Sequence, residues 1–116
     1  MSDITLYHNP RCSKSLQTLA LLEEHGIKPT IRKYLEDSPS AEELKTVLGY
    51  LGITPRDLLR KKESEYAEMG LKNPDLSDAQ IIQAMVECPK LIERPILIKG
   101  TQARIGRPPE TVLEII

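Results

Sequence analysis

The spacing of apolar residues predicts a strand, a helix and a second strand in the first third of the chain. The apolar run over 4–7 is typical of a strand, and the Asn-Pro pair at 9–10 ends it. Leucines at positions 16, 19 and 22 predict a helix over 13–25, which Gly26 closes. A short strand is predicted over 30–35. The opening segment therefore forms a β-α-β unit, with a right-handed crossover if the two strands are parallel.

The middle of the chain has helical spacing instead. Ser40 and Glu43 form a capping-box pattern ahead of apolar positions over 44–51. Thr54-Pro55 predicts the start of a second helix that carries residues 58–62. A second capping box over 77–80 leads into a third apolar helix. We interpret this helical block as an insertion at about 40–92.

The last part returns to strand patterning. Arg94-Pro95 precedes the apolar triplet 96–98, a turn follows over 99–102, and 103–105 predicts the returning strand of a hairpin. A short helix is expected over 110–116. Without the helical block, the order β-α-β, β-β-α is the layout of a thioredoxin-like fold. We therefore predict an α/β protein with a mixed central sheet, built as one domain over 1–116.

Composition narrows the functional classes. The chain is 40% hydrophobic and 28% charged, as in ordinary globular proteins, and its net charge is −1. That charge gives no reason to expect nucleic acid or membrane as a partner, and four Tyr without Phe or Trp make base stacking improbable. Neither a signal peptide nor a membrane-spanning apolar run is visible. We expect a cytoplasmic protein, since its two cysteines suggest no disulfide framework.

Cys12 is the first candidate for chemistry. A lone cysteine is more often a small buried apolar residue, but Arg11, Ser13 and Lys14 make this neighbourhood polar and partly cationic. The start of a helix carries free N–H groups and partial positive charge, which favour the nucleophilic thiolate. We therefore expect a reactive thiol at Cys12. Cys88, after an apolar helix face, is expected to be structural.

Two polar residues flank this thiol in the sequence. A dithiol oxidoreductase would carry a second cysteine at position 15, where Ser15 stands, so a disulfide formed at Cys12 must be resolved from outside. The Ser15 hydroxyl could still hydrogen-bond the thiolate. His8 is either a solvated loop residue or, when protonated, a group that stabilises the thiolate. The histidines and cysteines show no paired metal-ligand spacing, and we expect neither a metal nor a bound cofactor.

Several arginines lie near predicted element boundaries, at positions 56, 60, 94, 104 and 107. Any one of them is by default a solvated surface charge. The planar guanidinium nevertheless suits bidentate binding of a tetrahedral oxyanion. The residues alone leave open which of these arginines converge on Cys12.

The motifs together resemble the ArsC family of thioredoxin-like proteins, the glutaredoxin-dependent arsenate reductases. The similar segments run in the family's order over 7–15, 34–36, 58–60, 93–96 and 105–108. The segment 34–36 is similar to the end of the family's second strand. The chain's shorter form resembles a branch often labelled arsenate-reductase-like.

This resemblance implies roles for individual residues. It makes Cys12 the nucleophile and His8 the group that lowers its pKa, and it makes Arg94-Pro95 a cis peptide. Bound arsenate would be held by side chains at three arginine positions and, in our assignment, by the serine of the loop: Arg60, Arg94, Arg107 and Ser15.

The resemblance also implies a reaction sequence and partners. Arsenate would form an adduct with the Cys12 thiolate, glutathione would serve as co-substrate, and glutaredoxin would resolve the mixed disulfide. Two alternatives stay open. One is a non-catalytic thioredoxin-like regulator that binds RNA polymerase or another protein, although Ser15 argues against the Cys-x-x-Cys switch of some such regulators. The other is a glutathione-linked thiol reductase with a different substrate.

Overall fold

A computed structural model describes residues 4–116, and its elements divide into two compact units. The first unit combines the described residues up to Asp37 with Arg94–Ile116, and the second is Ser38–Glu93. The predicted helical block is thus contiguous in sequence and has its own internal contacts. Each unit is described separately below.

The first unit is a four-stranded mixed sheet with one long helix. Strands β1 (Ile4–Tyr7), β2 (Thr30–Arg32), β3 (Ile96–Lys99) and β4 (Gln102–Ile105) lie in the order β2-β1-β3-β4. β1 pairs in parallel with β2 and antiparallel with β3, and β3 pairs antiparallel with β4. This is the thioredoxin-like layout and the mixed sheet predicted from the sequence.

Helix α1 (Ser13–Glu24) and a C-terminal 3₁₀ helix (Pro109–Ile115) pack with this sheet. The core joins sheet residues Leu6 and Leu97 to Leu22 of α1 and to Val112. Burial of such side chains stabilises the fold by about 1.5–3 kcal/mol each. This packing holds α1 against the central strands of the sheet.

The second unit contains four helices: α2 (Ala41–Leu51), α3 (Pro55–Leu58), α4 (Ser64–Glu68) and α5 (Asp78–Glu87). Both predicted capping boxes form, at Ser40 with Glu43 and at Ser77 with Gln80. Gly52 ends α2 in the left-handed conformation. Helices α2 and α3 and the 3₁₀ turn Pro89–Leu91 all contact α5.

Three predicted elements differ from the structure. The second strand ends at Arg32 rather than at 35, because residues 34–36 form a turn in which Glu36 and Asp37 donate their N–H groups to the Lys33 carbonyl. The helix predicted to start at Thr54-Pro55 and to carry residues 58–62 ends at Leu58, because Leu59 forms an antiparallel bridge with Ile92. The last helix is 3₁₀ rather than α.

Candidate functional site

The loop after β1 places Cys12 at the N-cap of α1. Asn9 shapes this loop twice, because its carbonyl accepts the Cys12 N–H at 3.0 Å and its side-chain Oδ1 accepts the Arg11 N–H at 3.0 Å. Cys12 has extended backbone angles, φ −99° and ψ 123°, and is only 9% exposed. An N-cap side chain faces the free N–H groups of the first helical turn. The thiol therefore occupies the anion-favouring end of α1.

The surroundings of Cys12 favour its thiolate. Burial raises the pKa of the thiol, but the backbone N–H groups of Ser15 and Lys14 and the Arg94 guanidinium outweigh it, so the pKa lies below its ordinary value. The Cys12 side chain does not form a conventional capping hydrogen bond. The backbone N–H groups of Ser15 and Lys14 nevertheless stabilise the negative charge of the thiolate. A lowered pKa increases the thiolate fraction at neutral pH, and the thiolate is the reactive form.

Two arginines from the β3–β4 hairpin approach the sulfur. Arg107 donates from Nη2 to Cys12 Sγ at 3.8 Å and from Nε to the Arg94 carbonyl at 2.7 Å. The Arg94 guanidinium interacts with the thiol as well. Both Arg94-Pro95 and Arg107-Pro108 are cis peptides. The structure therefore brings together Cys12, Arg94 and Arg107, three of the residues singled out in the sequence.

The sequence did not reveal a close contact between Gly106, which precedes Arg107, and Thr18 of α1. A Cβ atom at Gly106 would meet Thr18 Oγ1 at 2.6 Å and Pro95 Cγ at 2.9 Å. Only glycine allows the chain just before Arg107 to lie this close to α1. Thr18 is fully buried and donates its hydroxyl to the Lys14 carbonyl at 2.8 Å. The sequence signal would have been a glycine directly before a cation and a proline, at the end of a strand.

His8 and Ser15 contact each other rather than the sulfur. His8 Nδ1 lies 2.6 Å from Ser15 Oγ, and the same hydroxyl accepts the Asn9 N–H at 3.0 Å. Burial, and secondly the Lys33 ammonium, lower the pKa of His8, which favours a neutral imidazole. The geometry thus does not support a protonated His8 beside the thiolate. It points to His8 as a partner that orients Ser15.

The Ser15 side chain lies inside the loop rather than at its surface. The residue is fully buried, and its hydroxyl faces His8 and the loop backbone. Such a hydroxyl is not available to a substrate in this arrangement. Ser15 acts on the Cys12 sulfur through its backbone N–H group. The Ser15 side chain therefore holds the loop in this structure, and its contact with a substrate stays a prediction.

Arg60 lies in the second unit, after α3. Its guanidinium donates from Nη1 to Glu93 at 2.8 Å and from Nε to Glu63 at 3.3 Å. An oxyanion would have to compete with these two carboxylates for the guanidinium. Two other arginines considered in the sequence have structural partners: Arg56 donates to the carbonyls of residues 71 and 73, and Arg104 pairs with Glu114.

Cys88 caps the C-terminal end of α5 in the second unit. It is a free, half-buried thiol, and burial together with the Glu65 carboxylate raises its pKa. A raised pKa disfavours the thiolate, so Cys88 is unreactive by comparison with Cys12. Within residues 4–116 no three His, Cys, Asp or Glu side chains are grouped as metal ligands, and no helix there is both apolar and long enough to cross a bilayer.

Comparison with known proteins identifies the family that this chain matches. The model of the ArsC family matches residues 7–115. An arsenate reductase of Haemophilus influenzae is 51% identical over 97% of this chain and 98% of its own length. A protein of Escherichia coli K12 that carries the name "Uncharacterized protein YfgD" is 51% identical over 97% and 96%. The solved structure of an arsenate reductase from Vibrio cholerae superposes with a TM-score of 0.95, at 55% identity and 97% coverage of both chains.

Proposed function

This chain belongs to the ArsC family, and we propose that it reduces arsenate to arsenite, with Cys12 as the nucleophile and glutathione and glutaredoxin as the source of electrons. The observation that carries the proposal is the environment of the Cys12 sulfur. Two guanidinium groups and the N–H groups of a helix start surround one thiol of lowered pKa. A nucleophile and an anion site therefore coincide.

The positive charges around Cys12 would reduce the repulsion between the thiolate and arsenate. A thiolate and an arsenate anion repel each other, and each loses hydration when they approach. Guanidinium groups at Arg94 and Arg107 offset both charges, and their planar forks fit the edges of a tetrahedral oxyanion. The free N–H groups at the start of α1 add further donors to an anion bound there.

The proposed chemistry begins with attack of the Cys12 thiolate on As(V). A sulfur–arsenic bond forms, an arsenic–oxygen bond breaks, and that oxygen leaves as water after protonation. Glutathione then adds its sulfur to arsenic, and a second water leaves. Formation of a disulfide between Cys12 and glutathione breaks both arsenic–sulfur bonds and leaves two electrons on arsenic. The As(III) product takes up one water molecule and departs as arsenite.

The last step requires an external thiol. Position 15 is serine, so the Cys12–glutathione disulfide lacks a resolving cysteine in its own motif. A glutaredoxin thiolate attacks the glutathione sulfur and releases Cys12 as a thiolate. The cycle needs a reduced glutathione pool, which is why we propose the cytoplasm as its location.

The family resemblance adds Arg60 to the oxyanion site, and this stays a prediction. Arg60 is held by Glu63 and Glu93 in its own unit. If it binds arsenate, Arg60→Ala should raise the KM for arsenate, while Arg56→Ala should leave that KM unchanged. Equal KM values for wild type and Arg60→Ala would remove Arg60 from the proposed site.

The activity is tested by a coupled assay with glutathione, glutaredoxin, glutathione reductase and NADPH, with and without arsenate. We expect arsenate-dependent NADPH consumption, its complete loss in Cys12→Ser and a large loss in Arg94→Ala. Cys88→Ser is the matched control and should keep wild-type activity. Folded protein that consumes no NADPH in response to arsenate would refute the substrate. Activity retained in Cys12→Ser would refute Cys12 as the nucleophile.

A further inference from the structure

A cleft of about 280 Å³ lies beside the loop that carries Cys12, within the first unit. One wall is the loop segment up to Arg11, the residue directly before the nucleophile. The other wall is the turn that follows β2. The cleft is close to the lower end of the size range typical of small-molecule sites. Its lining residues are His8, Asn9, Pro10, Arg11, Lys33, Leu35 and Glu36.

The turn after β2 sets the charges of the second wall. Glu36 and Asp37 donate their N–H groups to the Lys33 carbonyl at 3.0 and 2.9 Å, so Lys33 and Glu36 stand on the same side of a tight turn. Leu35, between them, is 41% exposed. The cleft is thus lined by two cations, Arg11 and Lys33, by one carboxylate and by one exposed apolar side chain.

Hydrogen bonds hold the floor of the cleft in place. His8 and Asn9 are 5% and 8% exposed, and both are tied to Ser15 by hydrogen bonds. The His8 N–H also donates to the Arg32 carbonyl at 2.9 Å, which joins the two walls. A hydrogen-bonded floor with exposed charged side chains on its rim is suited to a charged ligand, because the backbone of the cleft is already ordered before binding.

We propose that this cleft binds the thiol co-substrate as a small peptide with two carboxylates and one ammonium group, the charge pattern of glutathione. This inference rests on the proposed function. Arg11 and Lys33 pair with the carboxylates, Glu36 pairs with the ammonium group, and Leu35 contacts the aliphatic chain. The cleft ends one residue before Cys12, so a ligand anchored there can extend its sulfur over the loop toward the bound arsenic.

The test uses S-methylglutathione, which keeps all three charges and cannot react, in a chemical-shift titration of the isotope-labelled protein. We expect the largest shifts at the amides of residues 9–11 and 33–36. Lys33→Gln and Glu36→Gln should each weaken binding about threefold to tenfold. Lys28→Gln, which removes an exposed cation outside the cleft, should bind like wild type. Shifts confined to other segments, or unchanged binding by both cleft variants, would overturn the proposal.

Kinetics of the same variants separate the cleft from the oxyanion site. In Lys33→Gln the KM for glutathione should rise about threefold to tenfold while the KM for arsenate stays within twofold. Because Lys33 also acts on His8, Lys33→Arg, which keeps the charge, should restore the KM for glutathione. A rise in the KM for arsenate alone would assign the cleft to the oxyanion and overturn the inference. The titration requires no arsenate, so failure of arsenate reduction and failure of the cleft remain distinguishable.

Discussion

Replacing Gly106 by alanine should damage both the stability and the site of this protein. The added Cβ would lie 2.6 Å from Thr18 Oγ1, 3.3 Å from Thr18 Cγ2 and 2.9 Å from Pro95 Cγ. Carbon contacts are comfortable at about 3.5–4.0 Å, so the neighbours must move by about 0.5–1 Å. Neither neighbour yields easily. Thr18 is β-branched, fully buried and hydrogen-bonded within α1, and Pro95 is a ring.

Overpacking of this kind costs about 1–3 kcal/mol of unfolding free energy. For a domain of this size we expect about 4 °C in Tm per kcal/mol, and therefore a fall of about 4–12 °C. Arg107 follows Gly106 directly and donates to the Cys12 sulfur. A displacement of about 1 Å at a reacting group can cost about a hundredfold in rate, so kcat/KM for arsenate should fall by about 10–100-fold.

Thermal melts and the coupled assay test this expectation with three controls. Added to Gly106→Ala, the substitution Thr18→Ala removes two of the three close contacts and should partly restore Tm and activity. Thr18→Val keeps the branched side chain and should restore neither. Gly49→Ala lies within α2 with open space around its Cβ, and it should stabilise the protein by about 0.5–1 kcal/mol. A Gly106→Ala protein that melts like wild type, or equal rescue by both Thr18 variants, would refute the steric explanation.

Three further expectations concern the titrating and buried groups of the site. The alkylation rate of each thiol can be followed against pH in the variant that lacks the other, Cys88→Ser for Cys12 and Cys12→Ser for Cys88. Cys12 should reach half its maximal rate at a lower pH than Cys88, because the pKa of Cys12 is lowered and that of Cys88 is raised. The reverse order would contradict both environments. The folded pKa of His8 lies below its unfolded value of about 6.5, so its contribution to stability is complete above that pH and is lost as pH falls through the folded pKa. Melts between pH 7 and 5 should therefore decline less steeply for His8→Asn; equal slopes would count against a buried, neutral histidine. Ser15→Ala leaves the Asn9 N–H without its acceptor and should cost about 1–3 kcal/mol in denaturant unfolding, whereas a loss below 0.5 kcal/mol would show that water replaces the hydroxyl.

Local signals predicted the helix starts well. The capping boxes at Ser40 and Ser77 involve contacts three residues apart, so the sequence contains both partners. The predicted end of α3 was wrong because it depends on contacts between residues that are distant in sequence. Leu59 leaves the helix to bridge Ile92, and the Arg60 N–H donates to the Leu91 carbonyl, across more than thirty residues. Such long-range pairing overrides local helical preference.

The same distinction applies to the site. The helix-start setting of Cys12 is local, and the polarity of its neighbours indicated it. The partner of His8 was not predictable in this way, because burial decides both its protonation and its contact with Ser15. The approach of Gly106 to Thr18 depends on the docking of a hairpin against α1. Family resemblance selected Arg107 over Arg104, a choice that spacing had left open.

The β3–β4 hairpin limits how the pair of arginines beside Cys12 tolerates insertions in the chain. Ile96 pairs with Ile105, so the two arginines emerge from the two free ends of one ladder, whose other end closes with Gly100 at φ 59°. The distance between the two guanidinium groups therefore depends on the register of β3 against β4. A single residue inserted beside Gly100, at the far end of the ladder, would shift one strand and move one arginine away from the sulfur. The length of a remote surface turn is thus under the same constraint as the two arginines beside Cys12.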